Sequence, residues 1–561
     1  MTDERAPALT IEAVDVYLAR RCVASVAGFR VAAGEVRALV GGVDASAFVG
    51  ALAGSVAGAG AGAKLVGGSV LLGATVHRPG SRSAAKVAGI GFVSSGSGIS
   101  PYQSVGENVL LGVERPARSL LQMFGGLLRS GRGVESRVPD AVRVRSALDL
   151  VGLELDAAAP ATALDRLGRR LVELARAVLG SPTVVLVDDV GLALSDAESR
   201  RWHSALVAVA RSGPAIVVAT GTVTGLAAYA DRATVLGADG PEIDLRDVGD
   251  GRDLDANEAS AEAAVLERLA ARADQLARTA RPDAWGAGAT TSSVARGIAS
   301  SVFSVRGWRV HHPADESLTV VDGLSFDCAP GEVLGLFGPL DGGAMEAATS
   351  FFGASYGSAV TGTVLIDGDP VDVSTMDRAR AAGLVFTTEH PIRFDLSFIG
   401  GVPSSVSSES LIRMIAMGVA DRHRAYPATT VPTGLVSVIP GAHQGPSAAQ
   451  FTDTLRSMLD GPMRVVVLGE PLGGGLATGA GVAGDIGEAE RAARLDAIAS
   501  LAAGGQAVVV ASADPAVLAA CSDRVLAVRA GRVVGTTHDQ PTAPDARPTP
   551  GDIVRAMGGC A

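Results

Sequence analysis

Lysine is nearly missing from this sequence: of 48 basic residues, only Lys64 and Lys86 are lysine. Neither follows a glycine-rich loop. That excludes an intact loop of the order G-x-x-x-x-G-K-[ST], in which backbone N–H groups cradle phosphates and the lysine neutralises them. Cysteine is scarce as well. Cys22, Cys328, Cys521 and Cys560 stand apart without C-x-x-C spacing, which argues against a disulfide framework or a thiolate zinc site and for reduced thiols in a cytosolic protein. The formal net charge is −11, so the basic face of a nucleic-acid binder is not expected. No charged segment followed by an apolar run opens the chain, and no secretory signal is expected. Residues 45–63 are uncharged, but they are mostly Ala and Gly. So little Leu and Ile suits a loop followed by a helix better than a membrane span.

What is present is apolar substance. Hydrophobic residues make up 47% of the 561 positions and charged residues 19%, enough for more than one core, since single cores rarely grow past roughly 250–300 residues. The chain also repeats itself. "AAGEVRALVGG" at residues 32–42 returns as "APGEVLGLFGP" at 329–339, and "ADRATVLGADG" at 230–240 returns as "SDRVLAVRAGRVVG" at 522–535. Between these landmarks lie the apolar runs "TVVLVDD" and "AIVVAT" in the first half, and "RVVVLGEP" and "QAVVVAS" in the second. Short uninterrupted runs of this kind suit strands buried on both faces. Helical patterns such as "RRLVELARAVLG" alternate with them, which predicts parallel sheets wrapped by helices.

The expected organisation is therefore α/β, with two homologous domains over residues 1–245 and 300–561. Residues 246–299 would be a connecting helix and linker. In the connecting segment Val265, Leu269 and Leu276 fall at helical spacing, Asp274 and Arg278 form an i,i+4 pair, and "GAGATTSS" reads as linker. Adjacent His311 and His312, with His390, match no common metal spacing and read as loop histidines. Runs such as "SSGSGIS" have no nearby His/Asp pattern for a nucleophile.

The order of motifs resembles the tandem ATP-binding subunit of ABC importers, in particular those for ribose, galactose, xylose or nucleosides. "GEVRALVGGVDASAF" at 34–48 and "LGLFGPLDGGAMEAATSFFG" at 334–353 resemble its two phosphate loops. "GIGFVSSGSGISPYQSVGENVLLG" at 89–112 resembles its Q-loop and the helix start that follows. "LVDDVGLALS" and "LGEPLGGG" resemble its Walker B strands, and the two "DR" segments its closing strands. Nearly the whole chain is covered. The resemblance implies two P-loop NTPase-like nucleotide-binding domains, each with a mostly parallel sheet and a helical subdomain. It also implies ATP and Mg2+ as cofactors, and membrane permease subunits as partners, with an extracellular solute-binding protein as an indirect one. The location implied is cytoplasmic, peripheral at the inner face of the membrane.

Carried over position by position, the resemblance puts Asp188 at the magnesium place and Asp189 and Glu470 at the catalytic places. Gly41, Ser46, Gly338 and Gly343 fall in the phosphate loops, and Ser447 and Gln450 in the second signature, "PSAAQ". In such tandem subunits each site pairs one half's Walker residues with the other half's signature. Site one would join Gly41, Ser46, Asp188 and Asp189 to Ser447 and Gln450. Site two would join Gly338, Gly343 and Glu470 to "LDRLG" at 164–168. Tyr17, and less closely Trp308, fall near the adenine-stacking place, where simple packing is the competing role.

The departures from the pattern are consistent. Ala45 and Ala344 stand in the lysine places, Met345 in a Thr place, Ser95 in the Q-loop glutamine place, and Gly221 and Ala513 in the switch places. Gly469 replaces the second magnesium aspartate. Asp44 puts a carboxylate in the first phosphate loop, where it also suits a helix N-cap. The expected function is an energy-coupling ATP-binding subunit of a sugar or nucleoside importer, with weakened ATP binding and hydrolysis. The alternative is a non-catalytic scaffold or regulator that docks on permease subunits.

Overall fold

Continuous runs of Val, Ala, Leu and Ile do form strands buried on both faces. In the first half, Val36–Val40, Ile90–Val93, Val184–Asp188, Ala215–Thr220 and Arg232–Val235 lie parallel in one sheet, and Ile243–Asp244 closes it antiparallel. The spatial order is Ile243–Asp244, Arg232–Val235, Val36–Val40, Ala215–Thr220, Val184–Asp188, Ile90–Val93. In the second half the order is Arg532–Thr536, Arg524–Arg529, Val333–Phe337, Ala507–Ser512, Val465–Gly469, Leu384–Thr388. Direction and order agree strand for strand. This computed structural model describes residues 7–18, 21–55, 63–94, 98–100, 103–112, 140–189, 194, 196–237, 243–245, 254–279, 302–313, 315–338, 342–353, 356–388, 392–397, 404–417, 435–438, 448–459, 463–472, 488–537 and 547–558. Its fold class is the α/β tandem expected from the sequence.

An antiparallel sheet covers one face of each parallel sheet. It is built on Pro7–Leu18 and Arg21–Ala32 in the first half, and on Phe303–His312 and Asp315–Cys328 in the second. His311 and His312 thus lie at a strand end, not in a loop, because the alternating pattern of that strand continues through them. Among the described residues no group of His, Cys, Asp and Glu is arranged to hold a metal.

Between the two sheets of the first half lies the helix Val43–Leu52, with Ala45, Ala47, Phe48, Val49 and Leu52 all buried. A helix apolar on every side is stable only inside a protein, and both sheets bury it. Ala344–Ser350 takes the same place in the second half. The other face of the first sheet carries the helices Val105–Leu110, Asp140–Leu150, Arg166–Val178 and Asp196–Arg211 around a second core.

Repeated side chains fix the repeated strands. Gly34 and Gly331 take φ of 73° and 76°, which a glycine adopts without strain, and turn the chain into the first core strand. The glutamate after each folds back onto an amide: Glu35 accepts from Ala32 N and Glu332 from Ala329 N, both at 2.7 Å. The "DR" segments complete the junction. Asp231 accepts the Val36 N–H at 2.7 Å and Asp523 the Val333 N–H at 2.9 Å.

The helix Leu254–Thr279 buries Ala261 and Val265 in the first-half core. Asp274 accepts the N–H of Gly551 at 2.8 Å, at the start of the C-terminal helix Pro550–Ala556, and Glu267 pairs with Arg555 at 3.1 Å. No helix among the described residues is long and apolar enough to cross a membrane.

Candidate functional site

The ends of the parallel strands carry the residues of interest. After Val40 only Gly41 and Gly42 intervene before the buried helix begins at Val43. The N–H groups of both glycines donate to the Thr220 carbonyl, at 3.2 and 3.1 Å, and Asp44 N donates to Gly41 O at 3.2 Å. A phosphate cradle needs such donors turned outward, and these are spent on the neighbouring strand. Gly42, with φ 54°, is the N-cap of the helix, so Asp44 is not the N-cap. The loop is too short to set Asp44 there, and the carboxylate lies in the first turn, where the helix dipole favours it. Ala45, in the lysine place, is sealed from solvent. A Cβ added to Gly221, in the switch place, would lie 3.6 Å from Gly42 Cα, so switch place and loop adjoin.

Two residues named from the sequence do meet. Ser46 Oγ donates to Asp188 Oδ2 at 2.7 Å, and both side chains are buried. Asp189, next along, faces another way. Its carboxylate accepts Arg170 Nη2 at 3.2 Å and the Trp202 indole N–H at 3.0 Å. Arg170 itself is buried and also donates to the carbonyls of Ser94 and of Asp188, the latter at 2.8 Å, while pairing with Glu173 at 3.3 Å. The acid in the catalytic place is therefore one corner of a buried ionic cluster.

The second half is closed differently. A Cβ on Gly469 would come within 2.7 Å of Met345 Cε and 2.9 Å of Thr388 Oγ1. The space beside Gly469, the position that the resemblance matches to a magnesium carboxylate, is filled by a thioether and a threonine. Glu470 has φ 47°, is 3% exposed, and accepts the Ser512 hydroxyl at 2.7 Å and the Ala513 N–H at 2.8 Å. Burial pushes its carboxyl up to about 7 against the pull of those two donors, and Asp514 adds to the rise. Gly338 is buried, and Gly343, with φ 95°, caps Ala344–Ser350. A Cβ on Gly343 would strike Gly531 Cα and Val320 O at 2.6 Å, so backbone and not phosphate closes over this glycine.

Of the signature residues, Gln450 lies exposed on the first turn of Ala448–Leu459, and Ser447 falls outside the described residues, as do Ser95 and His390. In the first signature Asp165 is the N-cap of Arg166–Val178 and accepts Gly168 N at 2.6 Å. Burial, with Arg166 close by, holds Arg169 down to about 10. Trp308 is core: its N–H donates to Ser350 at 2.8 Å and its ring lies 5.5 Å from Phe351. Tyr17 is half-buried at the end of its strand.

The segment "SVGEN" is built with care. Ser104 and Glu107 form a capping box, and the buried Asn108 binds Ser100 N at 2.7 Å, Ser100 O at 2.9 Å and Ser104 O at 3.0 Å. Arg176 donates to Asn108 O at 2.7 Å and Gly98 O at 3.0 Å, and Glu173 accepts from Gly98 N. One helix face thus fastens the whole segment. Sequence reasoning missed Arg170, Glu173 and Arg176; their i, i+3, i+6 spacing was the available signal, masked by the many other arginines of that helix.

No family model matches the chain. Curated relatives are found over most of its length. The arabinose import ATP-binding protein AraG of Rhizobium johnstonii is 26% identical over 487 residues, covering 83% of each chain. The ribose import ATP-binding protein RbsA 2 of Burkholderia pseudomallei is 26% identical over 479 residues, 82% of this chain and 80% of that one. The L-arabinose transport ATP-binding protein AraG of Geobacillus stearothermophilus is 25% identical over 304 residues, 54% of this chain; that match spans about half of the relative, 52%. Among solved structures, a nucleotide-free ATP-binding cassette from an ABC transporter is similar over 42% of this chain and 91% of its own, with 17% identity and a TM-score of 0.34. The cbiO1 protein of Clostridium perfringens is similar over 49% and 99%, with 19% identity and a TM-score of 0.35.

Proposed function

We propose that this chain, a homologue of the ATP-binding subunits of simple-sugar ABC importers, serves as the energy-coupling subunit of an importer for a sugar or nucleoside. In this reading it sits on membrane permease subunits at the inner face of the membrane and works indirectly with an extracellular solute-binding protein. The observation that carries it is similarity to import ATP-binding proteins across 83% of both chains. The division into cassettes at 1–245 and 300–561, with 246–299 joining them, belongs to the same proposal.

ATP and Mg2+ are the cofactors of such a subunit, and both are handled weakly here. Ser46 and Asp188 offer two adjacent oxygens at site one, but the loop above them has no cation and has turned its N–H groups inward. At site two the methionine stands where the metal's carboxylate would be. Losing one charge-assisted bond to phosphate costs roughly 1.5–3 kcal/mol, and both loops lose theirs.

Met345 beside Gly469, and the enclosure of Glu470, favour a second reading: a non-catalytic scaffold that docks on permease subunits. One experiment separates them. The chain is purified with a permease pair from a sugar or nucleoside importer, and association and ATP turnover are measured with and without Mg-ATP. Association in nucleotide-free buffer with slow turnover that Asp188→Asn abolishes supports the importer subunit. Association with no turnover supports the scaffold, and association with no permease under any condition overturns both.

A further inference from the structure

Both halves bury one arginine between the same two helices, and the two halves do it in opposite senses. In the first half Arg170 projects from Arg166–Val178, and its guanidinium carbon lies 5.3 Å from the ring of Trp202 on Asp196–Arg211. In the second half the cation comes from the other helix. Arg494 on Glu488–Ala503 lies 4.9 Å from the ring of Phe451 on Ala448–Leu459. Trp202 and Arg494 are matched in place, each six residues past the start of its helix (196 to 202, 488 to 494). All four side chains are buried.

Each cation also reaches a main-chain carbonyl at or just past the end of a core strand. Arg170 Nη2 donates to the carbonyl of Asp188, at the end of Val184–Asp188. Arg494 Nη1 donates at 2.8 Å to the carbonyl of Pro471, two residues past the end of Val465–Gly469. Each is then balanced locally: Arg170 by Asp189 and Glu173, Arg494 by Glu490 at 3.5 Å and by Thr452 Oγ1 at 3.0 Å. An arginine is taken out of water at high cost unless a ring face, carbonyls and carboxylates replace the water, and both sites supply all three.

We propose that these are paired pins: a buried arginine–aromatic bracket that clamps the two helices and the acidic strand end into one fixed arrangement in each half, with no ligand bound. Exchange of cation and ring between the halves is what a geometric requirement would permit. The clamp needs a guanidinium across a ring with an N–H on a carbonyl at or just past the strand end, and either helix can provide it. An arginine retained for charge alone would have no reason to keep the ring opposite. The inference does not rest on the transport reading and stands or falls separately from it.

Hydrogen exchange of the purified full chain tests it. Arg170→Lys keeps the charge and loses the planar fork. It should speed exchange at least tenfold in peptides covering 166–178 and 196–211 and leave Pro7–Leu18 unchanged. Trp202→Leu should do the same. The double variant Arg170→Phe with Trp202→Arg installs the second-half polarity and should return exchange to within about threefold of the parent. Arg494→Lys should loosen 448–459 and 488–503 and not the first half, which gives a reading should the double variant fail to fold. Exchange within twofold of the parent in all three single variants overturns the proposal. So does a folded double variant no better protected than the singles.

Discussion

A carboxyl sealed inside a protein has to be bonded, protonated or both, and Glu470 is bonded at both oxygens and still shifted. Its folded value of about 7 lies above the ordinary 4.5. A group raised on folding contributes stability that is fully present below about 4.5 and is lost as pH rises through about 7. At about 1.4 kcal/mol per unit this is on the order of 3 kcal/mol. Glu470→Gln keeps an acceptor for Ala513 N–H and a partner for Ser512 without the titration. Its melting temperature should exceed the parent's at pH 8, by a margin that shrinks toward pH 5. A difference between variant and parent that stays flat from pH 5 to 8 would refute the assignment. At the preceding residue, Gly469→Asp should destabilise by about 2–3 kcal/mol through overpacking against Met345 and an unpaired buried charge. Met345→Ser in the same chain should recover a large part of that, since the two side chains compete for one space. Equal denaturation midpoints for the single and double variants would rule this out. None of this was legible beforehand: Met345 was visible only as a departure from a threonine place, and its contact with position 469 is made across the fold.

At the scale of elements, the strands were readable and the loop was not. A strand buried on both faces has to write an uninterrupted apolar run, so "VVLVD" and "VVVLG" announce themselves. The missing lysine of the glycine loop at 41–42 is legible in the sequence, but the closure of that loop is a main-chain event. Two glycine N–H groups choose the Thr220 carbonyl because the loop is short, and no side chain records that choice. Repair therefore has to be made at the loop. Ala45→Lys alone would place an ammonium in a sealed apolar layer and should lower stability without raising nucleotide affinity. Lengthening the loop between Gly41 and the helix, with a lysine at its end, should tighten Mg-ATP binding by about ten- to a hundredfold. Titration calorimetry on the two variants decides; a gain from Ala45→Lys alone would show that the site opens more easily than its packing implies. In the same way the helix start at Ser104 was readable, whereas the N-cap role of Asp165 and the place of Arg170, one arginine among several in "LGRRLVELARAV", were not.

The whole molecule is two copies of one sheet plan that carry different residues at the strand ends. The repeat in the sequence, 297 residues from Gly34 to Gly331, carried over to strand order, to the glutamate turns and to the aspartate junctions. Each recurs because it satisfies backbone groups that a buried sheet leaves open. At the strand ends the halves part: Ser46 on Asp188 in one, Met345 over Gly469 in the other.

The helix that joins the halves does more than span a distance. Sunk into the first core by Ala261 and Val265, it holds the helix Pro550–Ala556 through Asp274 and Glu267. Gly551 is tight against it, for a Cβ there would fall 2.2 Å from Asp274 Oδ2. The helix Pro550–Ala556 is in this way moored to the connecting helix, so the second half is held to the first by contacts besides the continuity of the backbone. A single protease cut between Thr279 and residue 302 should leave a particle that elutes at the mass of the uncut protein. Gly551→Val, which drives a side chain into that mooring, should let the two pieces drift apart.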